Sequence, residues 1–154
     1  MDKIIYEWEE FKCGIDVIYS KIIQSQFRPQ YIVGLSRGGV IPATTLSYKL
    51  NIPVFYFDPK QDKLSDLKIN LAKDKILFVD DINDTGFTLN SIRKKVITTL
   101  HPEITNEYDK IFSLDNIKFS VVFENLSSCI KTHFHSITID KSKENVWVIF
   151  PWEI

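Results

Sequence analysis

The chain has 154 residues, of which 44% are hydrophobic, so length and composition predict one globular domain over residues 1–154 with a buried core. Its 19 basic and 20 acidic residues give a net charge of -1, so there is no global positive field to hold a nucleic-acid backbone or an anionic membrane. No stretch approaches ~18 consecutive apolar residues and no amino-terminal signal core is present, so we expect a soluble cytoplasmic protein. Cys13 and Cys129 lack metal-ligand spacing, and we expect both to be reduced and buried.

The first half of the chain predicts strands that alternate with helices. Apolar residues at alternating three- and four-residue steps predict an amphipathic helix from about Glu9 to Ser25. A short buried strand, Tyr31 to Leu35, is expected next, followed by a helix over Val40 to Leu50 and a strand over Ile52 to Phe57. The polar segment 58–75 is weakly periodic, which fits either an excursion over a site or a loop with short strands.

The second half continues this alternation. In order, it predicts a buried strand beginning at Ile76, a helix over Thr88 to Leu100, a polar insertion over 101–116, and strands over Phe119 to Phe123 and Ser136 to Ile139. The apolar, aromatic tail from Val146 to Glu153 is expected to dock on the domain. Strands alternating with helices indicate an α/β fold with a parallel sheet and right-handed crossovers.

Three carboxylates and a glycine turn follow the strand at Ile76. Gly86 permits a tight turn, hydroxyls flank it, and a helix begins at once, so several N–H groups can converge on a phosphate. Taken alone, this turn could be an ordinary helix N-cap. Asp80 and Asp81 favour a ligand, because adjacent carboxylates repel one another unless sugar hydroxyls or a hard cation such as Mg²⁺ lies between them.

A second anion-binding loop follows the strand that ends at Leu35. Gly38 and Gly39 expose backbone N–H groups beside Arg37, which can make bidentate contacts. A Gly-Gly turn with a solvated arginine is common, so this loop is weak evidence by itself. Together, the two loops predict a ligand with two separated phosphate groups. The P-loop and dinucleotide fingerprints are both absent from the sequence.

Three segments together resemble one known family. Ile76 to Thr88 resembles the phosphoribosyl pyrophosphate signature of type I phosphoribosyltransferases. Val33 to Gly39 resembles the pyrophosphate loop of the short bacterial and archaeal xanthine-guanine and hypoxanthine branch, and Trp147 to Glu153 resembles its carboxyl-terminal segment. The resemblance implies a Rossmann-like central parallel sheet flanked by helices, with a small hood formed by the chain termini.

The resemblance also implies roles for the phosphate-binding residues. Asp80 and Asp81 would hold the ribose hydroxyls, directly or through Mg²⁺. The residues that would wrap the 5′-phosphate are Thr85, Gly86, Phe87 and Thr88. Ser36, Arg37 and Gly38 would contact the pyrophosphate, in a loop that is expected to contain a non-proline cis peptide bond. Arg37 would also stabilise the charge that develops on the leaving group.

A further set of residues would meet the base. By the same resemblance, Asp84 would face the purine N7 and manage the proton that the base loses. Trp147 would stack on the base and Val148 would offer its backbone to the exocyclic group, whereas Trp152 is expected in the core. From the residues alone, core packing of Trp147 is about as well supported as stacking.

The sequence departs from the family at the residue that should read the base. In purine enzymes of the family, the strand after the phosphate helix ends in a lysine that reads the 6-oxo group, but the corresponding stretch here, Val122 to Ser128, has no lysine. Asn125 takes that place in our alignment, and a shift of one residue would place Glu124 there instead. An amide can donate to an oxo group or accept from an amino group, so the preference for the base could be altered.

Two other segments differ in length. Segment 58–75 is shorter than the family's flexible loop over the site. Its Lys60, Lys63 and Lys68 could reach the pyrophosphate, although solvated surface lysines are the favoured interpretation. The insertion at 101–116 could change an oligomer contact.

The sequence thus predicts a Mg²⁺-dependent enzyme that transfers phosphoribose from phosphoribosyl pyrophosphate to a nucleobase, expected to be a 6-oxopurine. The alternatives are an enzyme with another base preference and a non-catalytic sensor that keeps the phosphoribosyl pyrophosphate site. The family resemblance implies a homodimer or homotetramer, and no nucleic-acid or membrane partner is expected.

Overall fold

The computed structural model describes residues 1–103 and 114–154, so most of the predicted insertion at 101–116 lies outside the described residues. The elements are β1 (Asp2–Ile5), α1 (Trp8–Gln24), β2 (Tyr31–Leu35), α2 (Val40–Leu50), β3 (Val54–Phe57), β4 (Ile76–Asn83), α3 (Phe87–Leu100), β5 (Ile117–Asn125), β6 (Phe134–Ile139) and β7 (Val146–Ile149). Every predicted helix and strand is present, with boundaries shifted by a few residues.

A five-stranded sheet forms the centre of the fold, in the order β3-β2-β4-β5-β6, and all its neighbouring strands are parallel. In the register, Ile32 lies opposite Leu77 and Val33 lies opposite Phe78, so each strand sends successive apolar side chains to opposite faces. Both faces are covered, as parallel sheets require. The predicted α/β class with a central parallel sheet is therefore confirmed.

Helices α1 and α2 cover one face of this sheet. Ile15, Ile18 and Ile22 of α1 are completely buried, and with Leu46 of α2 they pack on residues such as Leu77. These α1 residues recur at three- and four-residue steps, which explains why the helix lies flat on the sheet. Each buried aliphatic side chain contributes about 1.5–3 kcal/mol relative to exposure.

Helix α3 and segment 58–75 cover the opposite face. Leu64, Leu67 and Leu71 are buried in the same cluster as Ile92 and Phe78. Segment 58–75 contains one 3₁₀ turn at Leu64–Asp66 and no strand, so the alternative of a loop with short strands is wrong. Its three leucines fix this loop to the core.

The chain termini form a separate two-stranded parallel sheet, which we call the hood. Asp2 of β1 lies opposite Val146 of β7, and Ile5 lies opposite Ile149. Beyond β7, Phe150 is 2% exposed and packs edge-on against Tyr6 and Phe123, with ring centroids 6.1 and 5.7 Å away. The aromatic tail therefore docks, as predicted, and the hood that the family resemblance implied is present.

Both cysteines are exposed, and the prediction that they lie in the core is wrong. Cys13 lies on α1 but away from the stripe formed by Phe11, Ile15 and Ile18, so helix geometry turns it to the surface. Within residues 1–103 and 114–154, no helix combines the length and the apolar character needed to cross a bilayer.

Candidate active site

The two predicted anion-binding loops lie side by side at the carboxyl edge of the central sheet. Strand β2 ends at Leu35 and leads into residues 36–39, while the neighbouring parallel strand β4 ends at Asn83 and leads into residues 84–88. The loop after β2 touches the end of β4, because a Cβ atom built on Gly38 would overlap the carboxylate of Asp81. Only glycine allows this approach. The structure thus brings together the two segments that the sequence predicted as a two-phosphate site.

The loop after β2 is held by its backbone. The peptide bond between Ser36 and Arg37 is cis, as the family resemblance implied. The N–H of Gly39 donates to the Leu35 carbonyl oxygen over 2.8 Å, and a side chain on Gly39 would collide with the Val79 carbonyl oxygen. The Arg37 side chain is exposed and lines a cleft of about 830 Å³ together with Gly38, Asp81 and Glu153. Its guanidinium is therefore accessible to an anion in this cleft.

The loop after β4 presents the start of α3. Gly86 has a φ of 90° and immediately precedes the helix, and the N–H of Phe87 donates to the Thr85 hydroxyl over 3.2 Å. Residues 80–89 line a concavity of about 230 Å³ in front of this helix end. The N–H groups and the positive end of the helix dipole both favour an anion there. Phe87 and Thr88 are exposed at its rim.

Asp80 and Asp81 form an adjacent pair of acidic residues at the end of β4. The N–H of Asp81 donates to Oδ1 of Asp80 over 2.9 Å, and the N–H of Ile82 donates to Oδ1 of Asp81 over 2.7 Å. Burial and the neighbouring Asp81 carboxylate raise the pKa of Asp80 well above its ordinary value. Burial also raises the pKa of Asp81, and the charge of Glu153 adds to this effect. Two charges at this point need a cation or several donors nearby.

This donor set fits Mg²⁺. Mg²⁺ is usually held by one or two carboxylates together with waters and substrate phosphates, rather than by a complete cage of protein ligands. Among the described residues, no group of three or more His, Cys, Asp or Glu side chains is placed to hold a metal ion. Asp80 and Asp81 would therefore supply the protein's share of the coordination, and a bound phosphate ligand would supply more.

A polar cluster surrounds Asp84, just beyond β4. Its Oδ2 accepts a hydrogen bond from the Lys141 ammonium over 2.8 Å, and the two side chains form an ion pair. The amide Nδ2 of Asn125 donates to the Asp84 carbonyl oxygen over 2.8 Å. Asp84 keeps a side-chain exposure of 40%, so a ligand can still reach its carboxylate.

Asn125 is committed to the protein. Besides the bond to Asp84, its Oδ1 accepts from Ser127 Oγ over 2.9 Å and from the Lys141 N–H over 3.0 Å, and the residue is 4% exposed. These contacts leave its amide no room to read a base, so the expectation that Asn125 contacts substrate does not fit its surroundings. Glu124, the alternative, is 2% exposed and accepts hydrogen bonds from Asn83 and Thr132. It faces away from this cluster.

Lys141 is the site residue that the sequence analysis missed. It lies in the loop between β6 and β7, and 57 positions separate it from Asp84 along the chain. The Lys141 ammonium also lies 5.7 Å from the ring centroid of Trp147. The signal in the sequence was weak: a charged run just before the aromatic tail, which also contains Lys143 and Glu144.

Trp147 and Val148 occupy the hood strand β7. Trp147 is 50% exposed and lies beside Lys141, so it is a surface ring rather than a core residue. The Val148 side chain is 6% exposed and packs in the core, which leaves only its backbone for a ligand. Trp152 is partly buried and stacks on Phe150 with centroids 4.9 Å apart, although it also borders the cleft near Arg37.

Sequence comparison identifies the family. Residues 2–153 match the family described as "Phosphoribosyl transferase domain". The chain belongs to this family. The predicted resemblance to type I phosphoribosyltransferases is thereby confirmed.

Solved phosphoribosyltransferase structures share this fold over most of the chain or all of it. A purine phosphoribosyltransferase from Pyrococcus horikoshii is 26% identical over 100% of this chain and 96% of that chain, with a TM-score of 0.75. A xanthine-guanine-hypoxanthine phosphoribosyltransferase from Helicobacter pylori is 20% identical over 99% and 93%, with a TM-score of 0.72. An orotate phosphoribosyltransferase from Aeropyrum pernix is 16% identical over 86% and 72%, with a TM-score of 0.54. The fold by itself therefore does not specify a base.

Proposed function

We propose that this phosphoribosyltransferase transfers phosphoribose from phosphoribosyl pyrophosphate to a 6-oxopurine, giving the nucleoside monophosphate and pyrophosphate. The observation that carries the proposal is the close approach of Gly38 to Asp81 at the end of β4, which places the two anion-binding loops of the paired strands β2 and β4 at one site for a ligand with phosphates at both ends. The 26% identity to a purine enzyme over the full chain supports a purine as acceptor.

The proposed chemistry exchanges one bond at the anomeric carbon for another. The C1′–O bond to pyrophosphate breaks and takes its electron pair with the leaving group, while a ring nitrogen of the base forms the new bond to C1′. The exposed guanidinium of Arg37 and the N–H groups of Arg37 and Gly38 would receive the leaving pyrophosphate, since the N–H groups of Ser36 and Gly39 already donate to backbone carbonyl oxygens. Preorganised donors of this kind stabilise charge that develops in the transition state.

Asp80 and Asp81 would orient the ribose through its hydroxyls and hold Mg²⁺. The pKa values of both aspartates are raised, so two uncompensated negative charges are unfavourable there, and a bound cation would relieve this. Mg²⁺ bound there would neutralise charge on the pyrophosphate. The 5′-phosphate would lie in the concavity lined by residues 80–89, at the start of α3.

Asp84 would accept the proton that the base loses as the new bond forms. It lies one residue beyond β4, is 40% exposed, and pairs with Lys141, whose ammonium lies 5.7 Å from the centroid of the half-exposed Trp147 ring. Trp147 would form the platform on which the base stacks.

A turnover panel tests this proposal. Hypoxanthine, guanine, xanthine, adenine and uracil would each be incubated with phosphoribosyl pyrophosphate and Mg²⁺, and pyrophosphate release would be measured. We expect product with the 6-oxopurines.

Asp84→Asn should lower kcat by about 10²–10⁴-fold, the usual contribution of a positioned proton acceptor, with a smaller effect on KM for phosphoribosyl pyrophosphate. Full activity of that variant would disprove the role of Asp84. Binding of phosphoribosyl pyrophosphate without product from any base would disprove the enzyme and support a sensor.

A further inference from the structure

The loop between β6 and β7 delivers a positive charge to the base end of the site. From this loop, Lys141 reaches Oδ2 of Asp84 over 2.8 Å, and its side chain is only 20% exposed. The same ammonium lies 5.7 Å from the centroid of the Trp147 ring. Lys141 thus touches one residue assigned to the proton of the base and lies near another assigned to stacking.

Asn125 fixes where Lys141 stands. The Asn125 amide donates to the Asp84 carbonyl oxygen and, more weakly over 3.4 Å, to Oδ1 of Asp84, while its own oxygen accepts the backbone N–H of Lys141. One buried amide therefore connects the end of β5, the loop after β4 and the loop before β7. The backbone of Lys141 is therefore anchored by the fold, unlike that of a residue in a free surface loop.

The neighbouring lysines do not share this position. Lys131 donates to the carbonyl oxygens of Asn125, Leu126 and Ser128 and so closes its own loop. Lys143 lies on the same loop as Lys141, but its side chain is 80% exposed and pairs with Asp140 over 3.2 Å. Of these three, only Lys141 is directed at Asp84.

The Asp84–Lys141 pair presents an acceptor and a donor side by side. A 6-oxopurine carries the oxo oxygen, an acceptor, next to N7 on one edge, whereas adenine carries an amino donor at the corresponding place. With N7–H facing the Asp84 carboxylate, the adjacent oxo oxygen would meet an ammonium that has donors to spare, since an ammonium has three. The amino group of adenine at that place would face the Lys141 ammonium, and because both groups are donors, neither would find an acceptor in the other.

We propose that Lys141 is the residue that selects a 6-oxo base over a 6-amino base. It does so from the loop preceding the hood strand, in place of a residue at the end of β5. This inference rests on the proposed function, because it assumes that the base lies between Trp147 and Asp84.

The test compares Lys141→Met with Lys143→Met, a matched change two residues away on the same loop. We expect Lys141→Met to lower kcat/KM for hypoxanthine and guanine about 10- to 100-fold, the range that one specific base contact supplies, with adenine turnover unchanged or improved. KM for phosphoribosyl pyrophosphate should stay within about twofold of wild type. Lys143→Met should leave the oxo-to-amino ratio unchanged.

A binding measurement separates this inference from the proposed function. Titration of each protein with IMP and with AMP reports base preference even if no turnover occurs, and we expect wild type to prefer IMP and Lys141→Met to lose that preference. Lys141→Arg, which keeps a charged donor, should retain part of it. An unchanged IMP-to-AMP ratio in Lys141→Met would overturn the role of Lys141, whereas absence of turnover in wild type alone would overturn the proposed function.

Discussion

At the scale of single residues, the burial of Asp80 beside Asp81 lowers the stability of the ligand-free protein. Its pKa is raised by burial and by the adjacent Asp81 carboxylate, so the native state holds its proton more tightly than the unfolded chain, where an aspartic acid titrates near pH ~3.9. The unfavourable contribution is absent below that pH, grows as the pH rises from it towards the raised native pKa, and is constant above the native pKa. A tenfold difference in proton affinity between the native and unfolded states corresponds to about 1.4 kcal/mol of stability.

We therefore expect Asp80→Asn to stabilise the ligand-free protein at pH 8 by about 1 kcal/mol or more, and to reduce the loss of stability that begins as the pH rises above ~3.9. Urea unfolding at several pH values measures this effect. Asp84→Asn is the control, because it removes an ion pair with Lys141 and should not stabilise the protein. Equal or lower stability of Asp80→Asn at pH 8 would contradict the account.

At the scale of elements, the hood is held by an aromatic cluster below β7. Phe150 is 2% exposed and stacks against Trp152, with the Phe123 ring 5.7 Å away. Phe150→Ala should cost about 3–5 kcal/mol, as truncation of a buried phenylalanine usually does. Trp147→Ala, on a ring that is 50% exposed, should cost clearly less. Chemical denaturation of both variants measures this difference, and similar losses would mean that Phe150 does not anchor the hood.

At the scale of the whole molecule, the site is one unit assembled from two neighbouring strands. A ligand that occupies both loops should stabilise the fold more than either half of it. At about 100 times its dissociation constant, phosphoribosyl pyrophosphate with Mg²⁺ should add about 2.7 kcal/mol, which raises Tm by roughly 5–10 °C for a domain of this size.

Thermal unfolding with matched concentrations of ribose 5-phosphate, pyrophosphate and phosphoribosyl pyrophosphate measures this prediction. The two fragments should each give a smaller shift. If pyrophosphate alone gave the full shift, the loop after β4 would not take part in binding.

The arrangement of the proposed phosphate-binding residues could be predicted from the sequence because its parts are local. Asp80 to Thr88 join a strand end, a turn and a helix start within nine residues, and hydrophobic patterning fixes the strand that carries them. The neighbouring loop at residues 36–39 follows from parallel pairing of β2 with β4. Alternation of strands and helices was similarly sufficient for the fold class.

The base half could not be predicted in this way. Lys141 meets Asp84 only because a short irregular loop folds over β5 and an amide of Asn125 fixes it there, and no periodic pattern encodes such a contact. By its position in the sequence, Asn125 was the expected contact for the base, but its buried amide instead forms hydrogen bonds with Asp84 and Lys141. The cysteines were misplaced for a related reason: residue type favours the core, but the face of α1 on which Cys13 lies decides its exposure.

Pairing of β1 with β7 has a consequence for the order in which the molecule forms. Asp2 cannot meet Val146 until nearly the whole intervening chain has been synthesised, and closing so long a loop is entropically costly until the central sheet has brought its ends together. During synthesis, both phosphate loops can therefore form on the sheet before β7 exists. In the nascent protein, the proposed phosphate-binding loops would therefore form first, and the hood strand that carries Trp147 would form last.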